Sequence, residues 1–165
     1  MKLYKNSMAT KVGDYNEKAK EIIRWNKYMI LATCDKGASP WASPVFYAYD
    51  KGYNFYFLSA IDSRHAENIV QNPKISVSIF DSNQRVGLSD GIQMEGDVEI
   101  LEERDVEQTI ELYSKRLFPE SNMKGAERYN PKDYSESAEF RFFKITPSKI
   151  YVTGVDRRVE VNITK

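Results

Sequence analysis

The chain has 165 residues, a length that suits one domain, residues 1–165, with a single well-filled core. Its 24 basic and 24 acidic side chains give a formal charge of zero, which argues against a general binder of nucleic acid or of anionic membranes. One cysteine and one histidine exclude an internal disulfide, fit a reducing compartment and make a zinc site built on either residue unexpected.

The first half of the chain alternates short apolar runs with tight turns. Residues 14–26 predict a helix, because apolar side chains recur on one face with charges opposite. Three short strands follow, separated by turns that contain glycine: residues 28–34, 39–49 and 53–59. Strands joined by such short turns are predicted to pair as an antiparallel meander. Pro40 and Pro44 interrupt the second strand, so we expect part of its backbone to stay unpaired within the sheet.

The second half of the chain adds helices to further strands. Residues 64–71 and 102–117 predict helices, and residues 118–137 predict a polar loop or lid. Strands are predicted at residues 74–80, 91–100, 139–145 and 149–153, the last two on either side of Pro147, with a further candidate at 159–163. The fold class is therefore α+β and mainly antiparallel β. Six or seven strands, with two or three helices, close into a small barrel because closure removes exposed sheet edges.

The sequence contains no segment typical of membrane proteins. Residues 1–15 carry no apolar signal segment, and no apolar run approaches the length that spans a bilayer. We therefore expect a soluble, cytoplasmic protein that has neither a membrane nor a nucleic acid as a partner.

The most informative segment is the junction between the strand at 53–59 and the helix at 64–71. Ser63, Arg64 and His65 stand where this helix should begin. A helix start carries free backbone N–H groups and a partial positive charge. An arginine, a hydroxyl and an imidazole beside it make a small anion site that is suited to a phosphate. The alternative is a solvated helix start in which Arg64 and His65 are ordinary polar side chains. Ser63 is predicted to be an N-cap, which is compatible with a phosphate contact because both use the same free N–H groups.

Three pieces of the sequence carry a family resemblance through their order and spacing. They are residues 28–33 with 42–47; residues 55–59 with 63–65 and 72–77; and residues 93–96, followed by acidic residues and a helix. Together they resemble the pyridoxamine 5′-phosphate oxidase-like family of FMN-binding split barrels. The resemblance covers most of the chain, and it implies a split β-barrel that binds FMN at the interface of a homodimer.

The resemblance also assigns residues to the cofactor. The family's phosphate-binding pair follows a serine, here Ser63, and so falls on Arg64 and His65; the usual second residue is a lysine, so His65 is a departure. Contacts to the flavin ring and ribityl chain fall on the second and third strands and on one later strand. The residues implied are Ala42, Ser43, Pro44, Val45, Tyr47, Leu58, Ser59 and Gln93. The family's basic residue at the start of the second strand falls on Ala42, so one phosphate contact is missing.

Two aromatic residues near these positions have more than one interpretation. Tyr47 could flank a flavin ring, or it could belong to the core, which is the commoner place for such a residue. Trp41 could line a substrate pocket at the dimer seam, or it could cover the end of the barrel.

The resemblance implies an FMN-dependent oxidoreductase that passes electrons between a reduced nicotinamide or a small organic substrate and FMN. Residues 102–130 lack the arginine- and serine-rich substrate segment of pyridoxamine 5′-phosphate oxidases, so that activity is not expected. No catalytic residue is assigned. Three alternatives stay open: a non-catalytic flavin-binding or electron-carrier protein, a relative that uses a deazaflavin, and a heme-binding relative in which His65 is the only histidine available as an axial ligand.

Overall fold

The computed structural model describes residues 12–87, 89–120, 124, 127, 129–154 and 157–163. These residues form three α-helices and eight strands. In chain order they are α1 (Val12–Trp25), β1 (Tyr28–Cys34), β2 (Pro40–Phe46), β3 (Ala48–Tyr49), β4 (Phe55–Ala60), α2 (Arg64–Gln71), β5 (Lys74–Phe80), β6 (Gly91–Ile100), α3 (Glu103–Leu117), a short 3-10 helix (Pro131–Tyr134), β7 (Phe140–Thr153) and β8 (Arg158–Val161). None of the described helices is long and apolar enough to cross a membrane.

The eight strands form one antiparallel sheet in the order β2-β1-β5-β6-β7-β4-β3, with β8 added to the second half of β7. The sheet curls into a half-barrel whose interior is filled by alternate residues, so the α+β, mainly antiparallel class is confirmed. Helices α1 and α2 close this interior with Ile22, Ile23 and Ile69, while α3 packs on the outside. Phe57 and Phe143 stack within the core, with ring centroids 4.8 Å apart.

The second predicted strand, residues 39–49, is divided at Tyr47 into β2 and β3. It pairs with the first predicted strand through β2 and with the third through β3, so the antiparallel meander is confirmed and the unbroken second strand is wrong. β2 pairs only with β1, while β4 and β3 lie at the opposite end of the strand order, so β2 and β4 do not pair. The chain passes from one end of the sheet to the other at Tyr47, whose N–H donates to the carbonyl oxygen of Lys27 at 3.2 Å. Pro40 and Pro44 supply the physical reason, because a strand with two missing N–H groups suits an edge. The barrel is therefore split between β2 and β4.

The sequence predicts two strands, one on either side of Pro147. In the structure they form one strand, β7. β7 passes through Pro147 without a break, and its pairing with β6 shifts between Glu95 and Gly96, opposite the proline. This β-bulge accommodates the missing N–H of Pro147. Gly96 permits the close approach of the two strands, because a Cβ at this position would lie 2.6 Å from the carbonyl oxygen of Thr146.

Replacing Gly96 with alanine should therefore destabilise the fold. The added methyl group would meet backbone atoms of β7, which cannot move aside as a flexible side chain could. We expect the free energy of unfolding to fall by about 1–3 kcal/mol, the usual cost of overpacking. Gly37→Ala is the matched control, because a Cβ there would first meet the side chain of Asp35 at 3.2 Å. Equal urea-denaturation midpoints for the two variants would contradict this explanation of the bulge.

The outer surface of the sheet around β1 is not covered by any described helix. Ala32, Ala42 and Ser76 lie side by side there on β1, β2 and β5, and all three are exposed. Pro44 is exposed in the same strand as Ala42, and Tyr28 is 62% exposed at one end of the surface. We call the surface formed by these five residues the outer face. Four of its five residues have small side chains and none of the five is charged, and the exposed Glu95 of β6 lies at its border opposite Ser76.

Candidate functional site

The junction between β4 and α2 is a capped helix start. Ser63 has extended backbone angles (φ −69°, ψ 145°), and its hydroxyl accepts a hydrogen bond from the N–H of Ala66 at 3.4 Å, which confirms its prediction as an N-cap. Its carbonyl oxygen accepts the first helical bond, from the N–H of Glu67 at 2.9 Å. The N–H groups of Arg64 and His65 therefore have no partner within the helix and are directed at whatever lies beyond its start.

Three polar side chains meet at this helix start. Ser59 Oγ lies 2.7 Å from His65 Nε2, Ser63 Oγ lies 3.1 Å from the same nitrogen, and the two hydroxyl oxygens are 3.2 Å apart. We call these three residues the Ser–His cluster. His65 is half-buried, and burial lowers the pKa of its imidazole below the ordinary value of 6.5. The ring is therefore uncharged at neutral pH.

The Ser–His cluster does not have the geometry of a catalytic relay. Within the described residues, the His65 ring hydrogen-bonds only to the two serine hydroxyls, so no carboxylate orients it as a general base. The arrangement suits anion binding better. Two hydroxyls that can each donate, an imidazole that can become a cation, and the free N–H groups of the helix start all lie together.

Arg64 lies beside the cluster at the protein surface. Its guanidinium donates to Ser39 Oγ at 3.2 Å, and its Cζ lies 4.3 Å from the centroid of the Trp41 ring in a cation–π contact. Trp41 is itself 41% exposed, so it does not cover a closed core. A guanidinium carries five N–H groups. Since the described residues engage only one of them, the others are free to bind an anion while the stack stays in place.

A row of side chains along α2 fixes the helix to the neighbouring strands. Arg64, Asn68 and Asn72 are spaced four residues apart and so lie on one face. Asn68 Nδ2 donates to Thr33 Oγ1 at 3.0 Å, and Asn72 Nδ2 donates to Cys34 Sγ at 3.1 Å. These two bonds to β1, together with the contact of Arg64 with β2, hold the helix start next to the open edge of β2.

The split between β2 and β4 leaves backbone groups unpaired beside this helix start. β2 pairs along one edge only, with β1, and β4 pairs from residue 57 onward along one edge only, with β7. The free edges belong to residues 42–45 and 58–59, for which the resemblance implies flavin contacts. Of their side chains, Ala42 and Pro44 are exposed, Leu58 and Ser59 are half-buried, and Ser43 and Val45 are buried.

Two of the residues implied by the resemblance do not belong to these free edges. Tyr47 is fully buried; its hydroxyl donates to the carbonyl oxygen of Ile23 at 2.7 Å, and the guanidinium of Arg116 lies over its ring at 4.5 Å. The Tyr47 side chain therefore belongs to the core. Gln93 is exposed on β6, in the pairing row that runs from Pro44 across β1 and β5. Pro44 and Gln93 are therefore three strand spacings apart, or about 14 Å.

The sequence pattern predicts Ser63, Arg64 and His65 as site residues, and the family resemblance adds Ser59; the four lie within seven positions of one another. The pattern did not identify Ser39 as a partner of Arg64, and it did not connect Trp41 with Arg64. Ser39 and Arg64 are 25 positions apart, and their contact arises only because β2 passes the start of α2. No local spacing could reveal it.

Comparison with known proteins shows which protein family this chain is similar to. Residues 15–154 match the family model described as pyridoxamine 5′-phosphate oxidase. A UPF0306 protein from Cronobacter sakazakii is 28% identical over 99 residues, which cover 58% of this chain and 69% of that protein. The pyridoxine/pyridoxamine 5′-phosphate oxidase of Ehrlichia ruminantium is 32% identical over 91 residues, which cover 55% of this chain and 45% of that protein.

Solved structures show the same fold at lower sequence identity. HutZ, described as the heme storage protein from Vibrio cholerae, aligns with a TM-score of 0.65 at 21% identity, over 86% of this chain and 97% of that one. At this identity the likeness establishes the split-barrel fold, and the ligand has to be argued from the site.

Proposed function

The chain belongs to the pyridoxamine 5′-phosphate oxidase family, and from this premise we propose that it is an FMN-binding flavoprotein that acts as an oxidoreductase. Electrons would pass between a reduced nicotinamide or a small organic substrate and the flavin ring. The observation that carries the proposal is the helix start of α2, where Arg64 and the Ser–His cluster converge beside the open edges of β2 and β4.

The chemistry of the helix start fits the phosphate of FMN. Two backbone N–H groups, at Arg64 and His65, are free of helical partners, and the helix dipole adds a partial positive charge. The guanidinium of Arg64 can bind a phosphate through two N–H groups at once while it stays stacked on Trp41. Ser59 and Ser63 add hydroxyl donors. These groups supply donors to the phosphate even though Ala42 stands where the resemblance implies a basic residue.

The split in the barrel fits the ring of the flavin. The free backbone edges at residues 42–45 and 58–59 offer N–H and C=O groups to the polar edge of a flat ring, and Pro44 keeps that stretch of β2 from pairing. When bound, the flavin supplies two-electron transfer, and the chain holds and orients it. Pyridoxamine 5′-phosphate is not part of the proposal as a substrate, because residues 102–130 lack the arginine- and serine-rich segment.

We also propose a homodimer that pairs through the outer face. An uncovered sheet surface of small and apolar residues suits contact with a second copy. Gln93 extends the same side of the sheet, so a partner seated there could bring its own Gln93 towards the split. We place the protein in the cytoplasm, where a reducing environment would keep Cys34 a thiol.

Ala32→Glu tests the dimer. Ala32 is exposed at the centre of the outer face, and an unpaired carboxylate buried there in both copies should weaken dimerisation by about a hundredfold or more. Sedimentation velocity should then show a dimer for the natural protein and a monomer for the variant. Gln71→Glu, which adds the same charge at an exposed position of α2, should leave the dimer intact. A monomeric natural protein, or a dimeric Ala32→Glu variant, would overturn the proposed interface.

Heme is the second candidate ligand, favoured by the structural likeness to HutZ. His65 is the only histidine in the chain, and its Nε2 is engaged by two serine hydroxyls. A heme iron at Nε2 would displace both hydroxyls from that nitrogen, so the hydrogen bonds of the cluster oppose ligation there. Titration with hemin distinguishes heme from FMN as the ligand. A Soret band that disappears in His65→Ala would move heme ahead of FMN.

The direct test of FMN binding is a fluorescence titration of the flavin-free protein with FMN and with riboflavin, which lacks the phosphate. We expect FMN to bind at least about tenfold more tightly, since charge-assisted hydrogen bonds to phosphate are worth about 1.5–3 kcal/mol. Equal affinities would overturn the phosphate site. Anaerobic addition of NADH or NADPH to the FMN complex then tests the activity. Bleaching of the flavin supports an oxidoreductase that takes electrons from a nicotinamide, whereas no reduction by either nucleotide removes the nicotinamide as the electron donor.

A further inference from the structure

We propose that His65 makes this site selective for a phosphate dianion by taking up a proton when the phosphate binds. The inference rests on the proposed function, because it concerns the same helix start. It goes further by giving His65 a role that a permanently charged lysine could not have. His65 acts here through the two serines and is a positioning residue.

The geometry of the Ser–His cluster supplies the route. Both hydroxyls contact the same nitrogen, Nε2 of His65, at 2.7 and 3.1 Å. When Nε2 carries a proton it donates to a serine oxygen, and both serine O–H groups are then free to point outward. The neutral ring carries its one proton on either Nδ1 or Nε2, whereas the protonated ring always carries one on Nε2. Protonation thus fixes Ser59 and Ser63 as donors towards an anion at the start of α2.

The surroundings keep His65 uncharged until an anion arrives. Burial is what lowers the pKa of its ring. β1 and β2, on which α2 packs, carry no charged residue, and the titratable Cys34 lies at the far end of α2 beside Asn72. A cationic His65 therefore has no built-in counter-charge on these strands.

The charged groups nearest to His65 in sequence and across the sheet point to the same conclusion. They are Asp62, Arg64, Glu67 and Arg141, the last opposite Ser59 on β7. Asp62 and Glu67 are exposed, and among the described residues the His65 ring hydrogen-bonds to the two serines and not to either carboxylate. Arg64 is engaged with Ser39, and Arg141 donates to the carbonyl oxygens of Glu136 and Leu101. A bound phosphate dianion would be the strongest negative charge beside the ring, and the proton it stabilises would come from solvent.

The direction of the pH dependence follows from this linkage. The pKa of His65 lies below 6.5 in the free protein and is raised when the dianion binds, so affinity is highest at low pH and falls as pH rises through the raised value. The phosphate itself becomes dianionic above about pH 6. Between about pH 6.5 and 8.5 we therefore expect FMN affinity to fall, by at most about tenfold per pH unit for one linked proton.

The experiment measures FMN and riboflavin affinity of the flavin-free protein across that pH range, for the natural protein, His65→Gln and His65→Lys. FMN affinity should fall with pH in the natural protein and stay flat in both variants, with His65→Lys binding more tightly than His65→Gln. Riboflavin affinity should be flat in all three. Calorimetry in two buffers of different ionisation enthalpy should show proton uptake with FMN and none with riboflavin. Matching thermal midpoints establish that the variants fold.

The outcomes separate this inference from the proposed function. If FMN binds more tightly than riboflavin but with a flat pH profile, or if His65→Gln keeps the slope, the proton linkage is wrong and the phosphate site stands. If FMN binds no better than riboflavin at any pH, the phosphate site fails, and the proton linkage fails with it.

Discussion

Replacing Arg64 with alanine should weaken FMN binding by about ten- to a hundredfold and leave riboflavin binding unchanged. The guanidinium can donate two hydrogen bonds to the phosphate, and charge-assisted bonds of this kind contribute about 1.5–3 kcal/mol. Arg64 is exposed, and among the described residues its contacts are one hydrogen bond to Ser39 and the stack on Trp41. We therefore expect the free energy of unfolding to change by less than about 0.5 kcal/mol, as for other surface substitutions. Fluorescence titration and urea denaturation measure the two quantities.

Two further variants sharpen this test. Arg64→Lys keeps the charge but loses the planar pair of donors and the stacking on Trp41, so its affinity should be intermediate. Arg104→Ala removes an arginine that pairs with Glu102 and Asp105 near the start of α3, and it should bind FMN as the natural protein does. An Arg64→Ala variant that retains full FMN affinity would remove this residue from the phosphate site.

Phe143→Ala should have the largest effect on stability. Phe143 is fully buried and lies directly opposite Phe57 in the pairing of β7 with β4, with the two rings stacked at 4.8 Å. Truncation would leave a ring-sized cavity, and we expect the free energy of unfolding to fall by about 3–5 kcal/mol. The effect should extend to the site, because Phe57 lies two residues before Ser59 and its ring is 6.1 Å from that of His65. Urea denaturation and FMN titration test both expectations.

Phe140→Ala is the matched control on the same strand. Its ring is 45% exposed at the beginning of β7, so far less apolar area is lost from the core. We expect a fall of less than about 1.5 kcal/mol. Similar losses for the two variants would mean that the Phe57–Phe143 stack is not a main support of the barrel.

The elements that depend on local pattern were predicted well from the sequence. α2, β5 and β6 have the predicted limits, because apolar alternation and the proline at 73 mark them within a few residues. The pairing of strands was predicted less well, because pairing depends on contacts far apart in the chain. Residues 39–49 are predicted as one strand, whereas they form β2 and β3, which lie at opposite ends of the strand order. β7 continues through Pro147 only because Gly96 on another strand makes room for it.

The same distinction applies to the candidate site. The strand-to-helix junction alone predicts Ser63, Arg64 and His65, and the family resemblance adds Ser59. Their hydrogen-bond pattern, the burial that lowers the pKa of His65, and the contact of Arg64 with Trp41 all depend on packing. The side chain of Tyr47 was implied as a cofactor contact by the resemblance, whereas its burial beneath Arg116 places it in the core.

The most direct test of the central claim is the visible absorption spectrum of the untagged protein, followed by release and mass identification of any chromophore. We expect a two-band flavin spectrum, or one that appears when FMN is added to colourless protein, with FMN as the released molecule. A Soret band with released heme would contradict this expectation and would favour the heme alternative. Colourless protein that fails to bind added FMN would contradict the phosphate site at the start of α2.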